Sequence, residues 1–255
     1  MKNKGTLLLR WLVLLAILAN IAYNGLYNTL DPSLATMKEV SERYQSLFTP
    51  ASYAFSIWGI IYLSFIGYAI AQLLPDRRNK EVYSDLALPM IGLNIASSAW
   101  INLFGREQLG ASVAVISAML ILAVYLFVVA GRAVMLGEAR SWLLVPFSLF
   151  LGWIAVAVIA NVSVWLEAKQ WGRDILPEEG WTMLMIGVAA LLSLLIAWRW
   201  KNFIVPLVVA WASYAISVAR RPEYPSLGIV ALAAAIVCVI TALILLFRKR
   251  GLRTV

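Results

Sequence analysis

The sequence contains no histidine, and this absence removes several kinds of chemistry at once. Haem cannot be held by the usual proximal histidine, and Ser–His and Cys–His nucleophile pairs are excluded. The single cysteine, Cys238, rules out an internal disulfide. We therefore predict no metal site and no catalytic residue, and we expect the chain to bind a molecule rather than to act as an enzyme.

Charged residues are also scarce: they make up 13% of the chain, against about a quarter of a soluble domain, while 62% of its residues are hydrophobic. Water is therefore not the main solvent of this chain. A helix needs about 20 mostly apolar residues to cross a bilayer, and eight such stretches are present. They are residues 8–28, 50–74, 86–104, 111–131, 142–166, 181–198, 202–219 and 227–247. We predict an all-α, polytopic transmembrane helical bundle with about eight spans.

The distribution of basic residues predicts how these spans are oriented. With the N-terminus inside, 14 of the 21 lysines and arginines fall on the cytoplasmic side. The positive-inside rule then places both termini in the cytoplasm, in a plasma or inner membrane. The net charge of +8 is therefore a topology signal. The expected partner is the lipid bilayer and not a nucleic acid.

Charge is predicted to be absent from the interior of the spans, since every Asp, Glu, Lys and Arg falls in a loop or at a helix end. Proton-coupled carriers and pumps usually keep an ionisable group inside the bilayer. The sequence thus argues against ion-coupled transport. A facilitator of small neutral solutes, independent of ions, stays open as an alternative function.

Amide and aromatic side chains take the place of charge, and they converge at one depth of the predicted membrane. Asn94, Ser98 and Asn102 recur every four residues and share one face of the third span. Four further residues follow the same spacing in the fifth span: Trp153, Ala157, Asn161 and Trp165. The first span adds Asn20, Tyr23 and Asn24.

Two interpretations of this polar layer are open on periodicity alone. Asn and Ser commonly bond one transmembrane helix to another, at about 0.6 kcal/mol per hydrogen bond, and aromatic residues fill helix-packing cores. Alternatively, the layer is an uncharged pocket for a flat apolar ligand with a few polar edges.

Residues 50–69, PASYAFSIWGIIYLSFIGYA, resemble the second helix of the tryptophan-rich sensory protein and translocator protein family (TspO/MBR). Tyr53 stands where the family has its first Trp, and four more residues match the family pattern: Trp58, Tyr62, Gly67 and Ala69. Leu93 and Asn94 match a Leu-Asn pair in the third helix. The segment 104–110, FGREQLG, is similar to the turn that follows that pair. In the fifth helix the matching residues are Pro146, Phe147, Trp153, Ala157, Asn161 and Trp165.

The resemblance covers residues 8–168 and implies a five-helix membrane domain over residues 1–168. Residues 169–255 would add three transmembrane helices that have no counterpart in the five-helix members. Members of the family bind porphyrins and other hydrophobic ligands, and are often dimeric. The resemblance therefore implies a porphyrin-like or other tetrapyrrole ligand, for sensing, sequestration or transport, with a homodimer left open. A tetrapyrrole-degrading enzyme is a further alternative.

The expected pocket combines the residues of the polar layer with the aromatic residues of the second span. Its expected lining is Tyr53, Phe55, Trp58, Tyr62, Asn94, Ser98, Trp100, Trp153, Ala157, Asn161 and Trp165.

Overall fold

The computed structural model describes residues 2–77, 80–170 and 176–251, and within these residues the regular structure is helical, with no strand. Ten α-helices follow one another along the described chain. They are α1 (Lys2–Leu30), α2 (Met37–Arg43), α3 (Ile57–Ala71), α4 (Val82–Asp85), α5 (Ala87–Gly105), α6 (Leu109–Met135), α7 (Leu144–Ala168), α8 (Glu178–Trp200), α9 (Ile204–Arg220) and α10 (Pro225–Gly251). Short 3-10 turns occur at Ser52–Ser56, Pro75–Arg77 and Ser141–Leu143.

Seven helical segments of the described chain are long and apolar enough to cross a membrane, which confirms the predicted polytopic helical architecture. The remaining predicted span, residues 202–219, is α9, which is apolar but has only 17 residues. At a rise of about 1.5 Å per residue α9 is about 26 Å long, slightly less than the hydrocarbon core of roughly 30 Å.

Local side-chain chemistry fixes where two of the helices begin. Thr36 and Glu39 form a capping box at α2: the Thr36 backbone N–H donates to Glu39 Oε2 (2.7 Å), and the Glu39 backbone N–H donates to Thr36 Oγ1 (3.1 Å). At α9, the buried Asn202 side chain accepts hydrogen bonds from the N–H groups of Ile204 (2.9 Å) and Val205 (3.0 Å). These bonds satisfy backbone donors that have no partner within the helix.

The chain divides into two compact units, of which the first comprises Met1–Val40 and Ser56–Leu151. In this unit α1 packs against α3 and α5, and α5 packs against α6. The loop after α1 approaches the end of α5 so closely that the Ala35 N–H donates to the Gly105 carbonyl (3.0 Å). A Cβ at Gly105 would lie 2.9 Å from the Ala35 carbonyl oxygen, so this contact requires glycine.

The second unit comprises Ser41–Phe55 and Gly152–Val255. Its helices α8, α9 and α10 pack against one another, and the α9–α10 hairpin has the most extensive contact. Gly152 of α7 lies against α9, where a Cβ at this position would be 2.8 Å from Val208 Cβ. The two units are defined by packing alone, and the domain boundary near residue 168 stays a prediction.

Arg10, predicted at the head of the first span, lies in the first turn of that span and is buried. This residue lies within the candidate span Leu7–Leu30 and is only 2% exposed. Its guanidinium donates to the carbonyls of Gln72 (3.1 Å), Arg77 (2.9 Å) and Lys80 (3.1 Å). Burial of this charge is tolerated because several carbonyl dipoles solvate it, as water would.

Candidate functional site

A chain of amide hydrogen bonds joins α1 to α5 inside the first unit. Asn20 Nδ2 donates to Asn94 Oδ1 (3.1 Å), and Asn20 Oδ1 accepts from both Asn24 Nδ2 (2.8 Å) and Ser98 Oγ (3.0 Å). Asn94 Nδ2 also donates to the Met90 carbonyl one turn earlier in α5 (2.8 Å). Asn20 and Asn94 are both buried. Side chains of α1 and α5 therefore hydrogen-bond to each other, and these bonds hold the two helices together.

The same face of α5 continues toward the loop after α1. Asn102 Nδ2 donates to Tyr23 Oη (2.8 Å), and Asn102 Oδ1 accepts from Arg106 Nε (3.1 Å). The Arg106 guanidinium then donates to Asp31 Oδ2 (2.7 Å). Asp31 also accepts from the Ser33 hydroxyl (2.5 Å) and the Ser33 backbone N–H (3.1 Å). These bonds from Ser33, followed by the Arg106 charge, lower the pKa of the Asp31 carboxyl.

The four-residue spacing of Asn94, Ser98 and Asn102 does place all three side chains on the face toward α1. Their geometry supports the helix-packing interpretation of these residues, because their amide groups and the Ser98 hydroxyl are engaged within the helix pair. Trp100 points elsewhere on α5, where it is buried and stacks on Phe104 with 5.4 Å between ring centroids.

Aromatic side chains form a second feature of the first unit, along α3 and the first turns of α7. Trp58 lies 5.4 Å from Tyr62 and 6.2 Å from Phe150, measured between ring centroids. Phe150 also contacts Phe65 at 5.5 Å. Trp58 and Tyr62 are half-buried, so each presents part of its ring beyond this cluster.

In the second unit, the segment that precedes α3 in the chain is hydrogen-bonded to α9. Arg220 donates to the carbonyls of Ser46 (3.0 Å), Leu47 (3.1 Å) and Thr49 (3.1 Å). The Leu47 N–H donates to Glu178 Oε1 (2.8 Å), so this segment is bonded on both its carbonyl and its amide side. We call residues 46–55 the fastened segment.

The end of the fastened segment brings two aromatic pairs together. Tyr53 meets Trp211 of α9 edge-to-face, with 5.3 Å between ring centroids. Phe55 meets Trp153 of α7 in the same way at 5.9 Å. The Trp211 indole N–H donates to the Ala54 carbonyl (3.0 Å), which provides the hydrogen-bond partner that an indole within a span requires.

The predicted residues of α7 lie on one face of this helix. Trp153 and Asn161 are buried, while Ala157 and Trp165 are half-buried. The small Ala157 side chain lies one helical turn after Trp153 on this face. This face of α7 therefore carries a tryptophan at each end, with Ala157 and the Asn161 amide between them and no charge among the four residues.

The structure thus places the predicted residues in separate contacts within the two units, and Trp100 stacks on Phe104 apart from the other predicted residues. In the first unit the residues Asn94 and Ser98 share the α1–α5 network, and Trp58 contacts Tyr62. In the second unit Phe55 contacts Trp153, while Tyr53 faces Trp211, which was not among the predicted lining residues. Whether any of these residues contacts a ligand stays a prediction.

A groove of about 390 Å³ lies between α9 and α10 in the second unit, and sequence reasoning did not predict it. Its lining consists of Leu207, Ala210, Trp211, Tyr214, Leu232, Ala235, Ile236, Val239 and Ile240.

Comparison with known proteins gives one match. A family model described as TSPO-like protein matches residues 10–244, a range that reaches into all eight predicted spans and past the five-span resemblance. No curated protein matches, and no solved structure matches. Together with the spanning helices, the family match identifies an integral membrane protein.

Proposed function

The chain belongs to the TSPO-like protein family, and from this premise we propose that it binds a flat hydrophobic molecule of the porphyrin type among its membrane-spanning helices. Binding would serve sensing, sequestration or transport of that molecule. The observation that carries the proposal is the contact of Phe55 with Trp153, beside the small Ala157 on the uncharged face of α7.

Aromatic rings and a small neighbour are what a planar apolar ligand requires. Rings that meet edge-to-face or in offset stacks gain about 0.5–1.5 kcal/mol beyond the burial of their surface. Trp153 already makes one such contact, with Phe55, and a ligand over Ala157 would give it a second. Trp165 lies on the same face and would contact the far edge of the ligand.

Polar atoms at the ligand's edge would be oriented by Asn161, whose side chain is buried on the same face of α7. Asn94 and Ser98 would contribute indirectly, by holding α1 and α5 together through the network described above. Trp58 and Tyr62 form a separate half-buried aromatic pair in the first unit, and the contribution of this pair to binding is tested by a variant of Trp58.

The membrane orientation belongs to the same proposal. We infer that both termini lie in the cytoplasm, which is supported by the excess of lysine and arginine in the segments on that side. The membrane itself would be a plasma or inner membrane.

A titration with protoporphyrin IX in detergent tests the proposal, with the absorbance of the pigment as the signal. The Trp153→Leu variant should bind about 2- to 12-fold more weakly than the wild type, which is the ratio that 0.5–1.5 kcal/mol of ring contact represents. Trp153→Phe should retain most of the affinity, because it keeps a ring, and it also controls for loss of folding.

The matched control is Trp198→Leu, which removes a tryptophan of the same unit that is 48% exposed at the end of α8. Its affinity should equal that of the wild type. Equal affinities for Trp153→Leu and Trp198→Leu would remove the proposed site. Trp58→Leu, measured in parallel, would show whether the aromatic pair of the first unit contributes.

A further inference from the structure

The groove between α9 and α10 has a lining whose composition differs from that of the proposed ligand site. Seven of its nine lining side chains are aliphatic and two are aromatic. The Trp211 indole N–H is already bonded to the Ala54 carbonyl. The lining therefore offers contact to hydrocarbon and little to a ligand with several polar edges.

The groove is open along the surface of the hairpin. Several of its lining residues keep a third or more of their surface exposed, among them Tyr214, Ile236 and Ile240. α10 is among the helices that can span the membrane, and α9 is a shorter apolar helix paired with it. We therefore expect the groove to lie at the depth of the hydrocarbon chains of the bilayer.

One end of the hairpin carries basic residues next to aromatic rings. The α9 and α10 helices are joined by a short turn and run antiparallel, so the start of α9 and the end of α10 lie at the same end. At this end the guanidinium of Arg248 lies 5.4 Å from the ring centroid of Trp198, and that of Arg199 lies 5.6 Å from Trp200. Lys201 is exposed beside them.

The distance along α10 matches the dimensions of one leaflet. Arg248 follows the groove residue Ile240 by about 12 Å along α10, at roughly 1.5 Å per residue. This value falls within half of the roughly 30 Å hydrocarbon core. Lys201 lies in the turn between α8 and α9, at the same end of the hairpin. A lipid headgroup at the basic end would therefore place its acyl chain beside the groove.

We propose that the α9–α10 groove holds an acyl chain of an anionic phospholipid whose headgroup pairs with Lys201 and Arg248. The occupant comes from the surrounding bilayer, and the positive charge at the end of the groove selects its anionic class. This site is separate from the proposed porphyrin site and does not depend on it.

Photolabelling of the full chain in nanodiscs tests this proposal. The probes are phosphatidylglycerol and phosphatidylcholine, each with a photoreactive diazirine in the acyl chain, and the labelled residues are mapped by mass spectrometry. Label should concentrate on residues 207–214 and 232–240. The anionic probe should label them at least about fivefold more than the zwitterionic probe, since one basic residue near a membrane surface contributes about that ratio.

Two sets of variants test headgroup binding and acyl-chain binding in the groove independently. Lys201→Gln with Arg248→Gln should bring the ratio between the two probes close to one. The matched control is Arg132→Gln with Arg140→Gln, which removes two exposed charges of the first unit and should leave the ratio unchanged. Ile236→Trp should reduce labelling within the groove, whereas Ile121→Trp, on the exposed surface of α6, should not.

Three results would overturn the proposal. Equal labelling by both probes in the wild type would remove the preference for an anionic headgroup. Label spread evenly over exposed apolar surfaces, including that around Ile121, would indicate only the ordinary lipid shell. Absence of label from the groove, with two copies of the chain in each nanodisc, would show that a second copy covers it.

Discussion

Arg220 should control whether the fastened segment, residues 46–55, stays closed against α9. Its guanidinium donates to three carbonyls of that segment, those of Ser46, Leu47 and Thr49. Two further backbone bonds lie close by: the Thr49 N–H donates to Ser46 (3.0 Å), and the Ala51 N–H donates to Ala215 (3.2 Å). In the Arg220→Gln variant a shorter, neutral side chain cannot make the same three bonds.

The size of the effect follows from these three bonds. A hydrogen bond to a charged group contributes about 1.5–3 kcal/mol, but Arg220 is half-buried, so water would replace part of the loss. We expect the free energy for local opening of the segment to fall by about 2–4 kcal/mol. Each 1.4 kcal/mol changes the equilibrium constant for opening about tenfold. The amides of Thr49 and Ala51 should therefore exchange with deuterium roughly 30- to 700-fold faster.

Hydrogen exchange read by mass spectrometry measures this change directly. Arg221→Gln is the matched control, since it removes an exposed neighbouring charge and should leave exchange of the segment unchanged. Arg220→Lys should fall between the wild type and Arg220→Gln, because one ammonium group reaches fewer carbonyls. Unchanged exchange at Ala51 in Arg220→Gln would refute the assigned role of Arg220.

Further predictions concern the packing of each unit and the response to pH. In the first unit, a double-mutant cycle of Asn20→Leu and Asn94→Leu should give a coupling energy of about 0.6 kcal/mol in unfolding by SDS, and a coupling of zero would contradict the network. Because the folded-state pKa of Asp31 is lowered, its stabilising contribution is complete above the pKa of the unfolded chain and is lost as the pH falls through the folded value. Thermal unfolding should therefore show a loss of stability in acid that Asp31→Asn reduces. In the second unit, Gly152→Ala should destabilise the protein by about 1–3 kcal/mol in thermal unfolding, since its Cβ has no room beside α9, whereas Gly187→Ala, with open space around it, should not.

The helices of this protein could be predicted from sequence because hydropathy and length determine which segments can lie in a bilayer. Each predicted span corresponds to one described helix, and the ends differ by a few residues. The second span differs most at its start, where the prediction began at residue 50 and the helix begins at Ile57 after a 3-10 turn. The preceding residues are instead bonded to Arg220 of α9, a tertiary contact that hydropathy does not report.

Helical periodicity also predicted which side chains share a face, but not what those side chains bond to. The spacing of Asn94 and Ser98 was enough to place both on the same side of α5. The partner of Asn94 is Asn20, 74 residues earlier in the chain, and only the packing of α1 against α5 reveals it. The choice between helix packing and ligand contact therefore depended on tertiary structure.

The carbonyl partners of the buried or half-buried arginines Arg10 and Arg220 could not be predicted, for a related reason. Arg10 reaches carbonyls 62 to 70 residues away along the chain, and Arg220 reaches carbonyls 171 to 174 residues away. A sequence shows where a charge lies but not which carbonyls will surround it. For this reason the sequence predicts the positions of Arg10 and Arg220 along the chain but not the carbonyls that accept their hydrogen bonds.

The most direct test of ligand binding at Trp153 is fluorine NMR of the protein labelled with 5-fluorotryptophan. The resonances of Trp153, Trp165 and Trp198 are assigned from single Trp→Phe variants, and protoporphyrin IX is then added. The ring current of a porphyrin stacked beside Ala157 should shift the resonances of Trp153 and Trp165 and leave that of Trp198 in place. A shift confined to Trp198, with Trp153 unchanged at a saturating concentration of the pigment, would contradict the account.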